Sequence, residues 1–474
     1  MMIFNNIKKH LFWGICWVFI LLSTSILHAQ QESFPNEEFT YEEFLAVVKK
    51  YHPLVKQADL IITNAEAKLL KARGYFDPKL SADFSKKRYH DQKYYSVFNG
   101  SFKIPTWYGI EIKAAFDQNE GYYLNPEHKV PEDGLASLGI TVPIGQGLWI
   151  NERMAELKKG KMYIKLGAYE RTLAVVEAIY EASATYMDWK MNYEKMMLYK
   201  TFYDNAVERQ EWIKKSIVLG ELSPIDSVES GINLKTRKLE WEQAKLKLTK
   251  SRLELSNYVW SEDGVPLELS EEMKPEDKLQ DNIVRVLNLN PVSQDNDVTN
   301  HPKINALSTK LSMQQVDRKL KANKLLPKLS LSYNYIAEPG YFNNYYWDDY
   351  KIGATLSFPV FLRKERAEVR MADNKLREAA YGLNFQKQAL QNKIKAQYAA
   401  LDSYQQQLFV NADLVNDYQQ MLDAESRLFE MGESSIFYIN TRENKLVKSK
   451  VSQIELKNTY FLAAAGLYKT LAEF

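Results

Sequence analysis

The segments that begin at His52 and at His301 carry the same punctuation at the same spacing, which makes this chain a tandem duplication. His52-Pro53 is followed by Pro78-Lys79-Leu80-Ser81, and His301-Pro302 by Pro327-Lys328-Leu329-Ser330; 301 − 52 and 327 − 78 both give 249. A duplication whose halves mix helical and strand periods leaves few architectures open.

Each half reads as helix, β-hairpin, very long helix, turn, long helix. In the second half Leu329, Leu331, Tyr333 and Tyr335 alternate with Ser330, Ser332 and Asn334, and Ile352, Ala354, Leu356 and Phe358 alternate with small or polar partners. This period of two, one face apolar and one polar, predicts strands at 327–359. The connection between them, Glu338-Pro339-Gly340 and then Tyr341, Phe342, Tyr345, Tyr346 and Trp347, is a turn rich in rings that suit a lipid headgroup region. A soluble hairpin packed on its own helices is the competing reading.

The first half has a longer strand region, 78–143, with outer strands at Leu80–Phe84 and Leu138–Val142. Between them Phe102 and Ile104, then Ile110, Ile112, Ala114 and Phe116, also alternate around Thr106-Trp107-Tyr108-Gly109. Pattern leaves open whether this inner pair extends a barrel or stands outside it as a hairpin.

Helix follows each hairpin. Pro143 to Gly220 and Pro359 to Gly432 are separated by 77 and 73 residues, roughly 110 Å of helix at 1.5 Å per residue. The seam Leu390, Ile394, Tyr398, Leu401, Tyr404, Leu408, Ala412, Val415, Tyr418, Leu422 steps by threes and fours, with lysine and glutamine elsewhere. One narrow apolar stripe on a long polar helix predicts lateral packing in coiled-coil fashion. Gly220 and Gly432 end these helices, and Ser223-Pro224 and Ser434 start the next.

Lys8, Lys9 and His10 followed by the apolar run Leu11–Leu22 and small residues up to Ala29 read as an export signal at 1–29, with a retained anchor as the alternative. The domains expected are then a first repeat at 30–260, a connection at 261–300 and a second repeat at 301–474. Cys16, the one cysteine, lies in the apolar run, so the mature chain has no thiol for nucleophilic or thiolate-metal chemistry. A net charge of +2 with both signs interspersed lacks the footprint of a nucleic-acid binder. Nothing after residue 29 is apolar enough to cross a bilayer as a helix. An exported chain of this kind is soluble outside the inner membrane or inserted as a closed barrel.

In the order and duplication of these features the chain resembles the TolC family of outer-membrane efflux proteins, in a variant similar to Bacteroidota members. The carrying residues are His52-Pro53 and His301-Pro302, Pro78 and Pro327, Val142-Pro143-Ile144 and Phe358-Pro359-Val360-Phe361, and the tips Gly220–Asp226 and Gly432–Glu443. The resemblance implies a mainly α fold with a membrane β-barrel: a homotrimer whose long helical hairpins form an α-barrel and whose four strands per protomer share a twelve-stranded barrel. It implies an exit duct in the outer membrane reaching into the periplasm, passive, embedded in outer-membrane lipid. Its partners would be a periplasmic adaptor (membrane fusion protein) and an inner-membrane RND or ABC transporter. The alternative is a soluble periplasmic coiled-coil scaffold or adaptor.

The resemblance also implies sites. Gly220, Glu221, Leu222, Ser223, Gly432, Glu433, Ser434 and Ser435 are the candidate adaptor-contacting tips. Founding-type members close the entrance with carboxylates six and nine residues after the second tip glycine; Tyr438 and Thr441 stand there, while Asp226 and Glu229 hold the equivalent places of the first repeat. These four are the candidate gate. Asp226 and Glu229 form an acidic ring, or else they favour a helix N-terminus. No metal, cofactor or catalytic constellation is expected. His52 and His301 read as turn formers ahead of proline, and His90 and His128 as loop residues.

Overall fold

The computed structural model describes residues 38–277, 279–287, 289, 298–342 and 345–472. The expected export signal at 1–29 lies outside them. In chain order the elements are β1 (Glu38–Phe39), α1 (Tyr41–Tyr51), α2 (Pro53–Arg73), β2 (Lys79–Tyr89), β3 (Gln92–Pro105), β4 (Glu111–Glu120), β5 (Leu135–Gly145), α3 (Glu152–Val218), α4 (Pro224–Ser256), β6 (Lys274–Pro275), α5 (Leu279–Val286), α6 (Pro302–Asn323), β7 (Lys328–Ala337), β8 (Tyr350–Ser357), α7 (Arg363–Glu430) and α8 (Ile436–Leu471). The duplication is plain: α2 and α6 have 21 and 22 residues, α3 and α7 have 67 and 68, α4 and α8 have 33 and 36.

The chain forms two compact units, each drawing on both halves of the sequence. One takes the residues up to His52 with Glu181–Val286 and Tyr404–Leu462; the other takes Pro53–Tyr180, Leu287–Ser403 and the residues from Ala463 onward.

In the first unit an aromatic group closes around α3. Phe44 stacks on Tyr186 at 5.3 Å, the Tyr186 hydroxyl donates to Phe39 O at 2.7 Å, and Tyr41 donates to Ser183 at 2.8 Å. β1 pairs in parallel with β6, so the segment expected only as a connection between repeats contributes a strand and the buried Leu269, Leu279 and Ile283. Farther along, Phe202, Leu446 and Val447 form a core with Val415, Tyr418 and Leu422 of the expected seam packed against it. Ala412 departs from that seam: it is exposed, and Asn411 beside it is buried.

In the second unit Leu390 and Ile394 pack with Val298 and Ile304, and Leu166 of α3 packs with Ala306 and Met313 of α6. α2 approaches α3 closely, since an added Cβ at Gly160 would meet Ala72 at 3.0 Å and one at Gly167 would meet Ala65 at 2.9 Å. This unit also carries one antiparallel sheet in the order β2-β3-β4-β5-β7-β8.

The fold class is as the resemblance implies, but the strand number is corrected: the sheet has six strands where four were expected. The inner pair is not an external hairpin. The turn from Thr106 to Ile110 is closed by Thr106 N–H to Ile110 O at 2.9 Å and by Gly109 at φ +76°, which folds β4 back along β3 in register over ten residue pairs. No helix among the described residues is long and apolar enough to cross a membrane.

Candidate functional site

The two faces of the sheet differ throughout. On one face the cross-strand register aligns Leu80-Phe102-Ala114-Leu138-Tyr335-Tyr350 in one row, and Ile104-Ile112-Ile140-Tyr333-Ile352 in the next toward the helical end. Much of this face lies open: Leu80 is 82% exposed, Ile352 65% and Leu356 68%, while Tyr335 is covered by Phe342 and Tyr345. Exposed rings bracket the band. Tyr89, Tyr122, Tyr123, Tyr341, Tyr346 and Trp347 lie at the turn end of the strands, and Tyr75, Tyr108, Trp149 and Phe361 at the helical end. An apolar band between two aromatic girdles is the outer surface of a membrane barrel. The other face is mixed and more polar, with Ser81, Ser101, Ala115, Ser137 and Ile336 in one row and Pro105, Glu111, Thr141, Ser332 and Gly353 in another. Below it a cavity of about 610 Å³ is lined by Lys79, Glu111, Thr141 and Ser330 together with Asn151 and Arg153 near the start of α3.

The helix tips share one construction. Gly220 has φ +81° and Gly432 has φ +75°. Gly220 N–H donates to Ile217 O at 3.0 Å and Glu221 N–H to Ser216 O at 2.9 Å; Gly432 and Glu433 repeat the pair on Phe429 O and Leu428 O at 3.0 and 2.9 Å. This is the Schellman closure, which needs a left-handed residue at the glycine. Around the tips Val218, Leu219, Ile225, Met431, Phe437 and Tyr438 are exposed.

The candidate gate residues are held differently from one another. Asp226 accepts from Ser223 N–H at 3.1 Å, so its carboxylate caps α4. Glu229 accepts from Asn440 Nδ2 at 3.4 Å, and Thr441 donates to Phe437 O at 2.8 Å. Tyr438 is exposed. Among the described residues no hydrogen bond joins Tyr438 or Thr441 to Asp226 or Glu229. In the second tip Ser434 donates to Glu425 at 2.5 Å and Arg442 pairs with Glu425 at 3.3 Å; the Ser434 hydrogen bond is the larger cause holding the Glu425 carboxyl below its usual range.

Beside Glu229 is a buried ionic group that the sequence reading did not single out. Glu443 is 1% exposed and pairs with Arg209 and, at 3.1 Å, with Arg237, itself 1% exposed. Arg237 also reaches Glu240 at 2.8 Å and Asn444 at 2.6 Å, and Asn440 accepts from Arg209 at 3.4 Å. A signal for it exists: Ser230, Arg237, Ala244 and Ser251 are the buried positions of α4 at seven-residue spacing, so an arginine occupies a packing position among small residues.

Residues 297–473 match the family model of outer membrane efflux proteins. The match covers the second repeat and is a likeness of that part of the chain to the family. No curated protein matches the chain by sequence. The fold extends over the rest. The outer membrane channel CmeC of Campylobacter jejuni superposes with a TM-score of 0.66 at 15% identity, covering 91% of this chain and 85% of that one. The outer membrane protein VceC of Vibrio cholerae gives 0.64 at 12%, covering 91% and 95%, and the open-state channel MtrE of Neisseria gonorrhoeae gives 0.61 at 12%, covering 91% and 88%. The likeness to these channels is one of fold.

Proposed function

We propose that this chain is one subunit of a passive exit duct in the outer membrane, serving a tripartite efflux or type I secretion system. The carrying observation is the apolar face that runs in register across all six strands, exposed and bracketed by rings, opposite a polar face. A soluble coiled-coil scaffold would leave that face in water.

The sheet has two free edges, β2 and β8. Lipid does not tolerate unpaired strand edges, so the sheet closes with copies of itself. Six is an even number, and β8 of one copy therefore meets β2 of the next antiparallel. A homotrimer closes 3 × 6 = 18 strands, and at about 4.8 Å between strands tilted about 40° the barrel is about 36 Å across.

The helical hairpins extend into the periplasm, where the tips at Gly220–Ser223 and Gly432–Ser435 meet an adaptor. Their exposed apolar residues give that adaptor a contact surface. An RND or ABC pump beyond the adaptor supplies the energy, so the duct itself performs no catalysis. At its entrance, Glu229 is the charged member of the proposed gate, while Asp226 serves as a helix cap.

Single-particle imaging of the protein extracted from outer membranes in detergent tests this reading. A threefold hollow particle with an eighteen-stranded end is expected. A compact monomer would overturn it and favour the soluble scaffold.

A further inference from the structure

On the polar face one row is cationic from strand to strand. Lys79 of β2 is directly opposite Lys103 of β3, which is opposite Lys113 of β4; the row continues through Gly139 and Asn334 to Lys351 of β8. Directly opposed side chains have Cβ atoms about 5 Å apart, and like charges there destabilise a sheet. None of the four ammonium groups is in an ion pair with a described residue. Asp349, two residues before Lys351 and bonded through its carbonyl to Ile336 N–H, lies beside the far end of the row, while the strand carboxylates nearest Lys79, Lys103 and Lys113 are occupied or distant. Glu111, two residues from Lys113, is taken by Arg153. Asp83 and Asp117 lie four residues along the strands toward the turn end, about 13 Å at 3.3 Å per residue, beyond the screening length of about 8 Å at physiological salt. Half of the row, Lys103 and Lys113, sits on the two strands beyond the expected four.

We propose that this row is an anion-selective girdle in the duct, through which solutes bearing phosphate, carboxylate or sulfonate groups pass in preference to cations. The inference rests on the polar face being the wall of a duct. Three copies bring 3 × 4 = 12 lysines to the lumen wall, in rows that climb obliquely across the tilted strands. A ring of one sign in a confined passage raises the local concentration of counter-ions. The cost of the unfavourable Lys–Lys pairing is thereby offset whenever an anion is present.

The test uses the assembled protein in outer membranes with Cys16→Ser, which removes the chain's one cysteine. Ser101→Cys places a thiol in the neighbouring row of the polar face, and Phe102→Cys places one on the apolar face. The probes are a sulfonate-bearing and a trimethylammonium-bearing methanethiosulfonate of similar size. Ser101→Cys is expected to react about tenfold faster with the sulfonate reagent, with the preference lost when Lys103 and Lys113 are both changed to Gln. Equal rates at Ser101→Cys would overturn the girdle and leave the duct standing. A reactive Phe102→Cys with an inert Ser101→Cys would overturn the duct, because the faces would be inverted. Ser137→Cys, in the same row as Ser101, provides the same readout if the first variant does not assemble.

Discussion

Arg237 of α4 and Glu443 of α8 form an ion pair at 3.1 Å in which each residue is 1% exposed. A charge buried this deeply persists only where it is paired, because the cost of leaving it unpaired exceeds any single contact around it. Glu443 also takes Arg209, so one carboxylate compensates two guanidinium groups on two helices.

Glu443→Ala leaves both arginines without their common partner. The variant is expected to lose about 3–5 kcal/mol of stability, read from urea or thermal unfolding. Replacing Arg209, Arg237 and Glu443 together by apolar residues of similar volume is expected to recover most of that loss. A single variant as stable as the parent would mean that water reaches the pair.

Gly432→Ala puts a Cβ on a residue with φ +75° and is expected to cost about 1–2 kcal/mol. Open space around Gly432 means the cost is backbone strain and not a clash. Gly432→Asn, which tolerates this conformation better, is expected to cost less. Comparing the two unfolding midpoints decides between strain and sterics.

Leu401 lies inside the 68 residues of α7. Leu401→Pro removes a helical hydrogen bond and adds a clash, at about 3 kcal/mol or more. Abolished trimer assembly is expected in size-exclusion chromatography. Normal trimer yield would show that α7 need not be continuous there.

His301 Nδ1 accepts from Lys303 N–H at 3.0 Å and Nε2 lies 3.0 Å from Thr470 O, an arrangement for a neutral ring with its proton on Nε2. Burial pushes its pKa below the ordinary value, and burial does the same to His52, which stacks on Tyr258. The unfolded chain then binds protons that the fold refuses. Stability is full above the ordinary histidine value of about 6.5 and falls as pH drops below it toward the folded value. The unfolding temperature of the parent is expected to fall more steeply between about pH 7 and pH 5 than that of His301→Asn, and the His52→Asn, His301→Asn double variant is expected to be flatter still.

Much of this is legible in the sequence. The 249-residue offset gave the repeats, the glycines at 220 and 432 gave the tips, and alternation gave strands on both sides of each hairpin. The histidines before Pro53 and Pro302 proved to be helix-boundary residues, as their place ahead of proline suggested. The ionic group at Glu443 was not seen because its members come from three helices, each charge unremarkable in its own helix. Asp226 carried two readings in sequence, and the capping contact from Ser223 N–H is visible only in the structure.

Sequence by itself determined what is local or periodic: helix lengths, turn positions, which residues of a strand share a face, and the duplicated order of elements. These follow from steric limits on single residues and from the periods of helix and strand, which the chain carries wherever it is placed. Tertiary structure alone decided how strands and helices are matched. Register put Lys79, Lys103 and Lys113 abreast and carried the inner pair into the sheet, because pairing depends on which distant backbone groups meet. Packing brought Arg209, Arg237 and Glu443 together, because a buried charge selects its partner from neighbours in space and not in sequence.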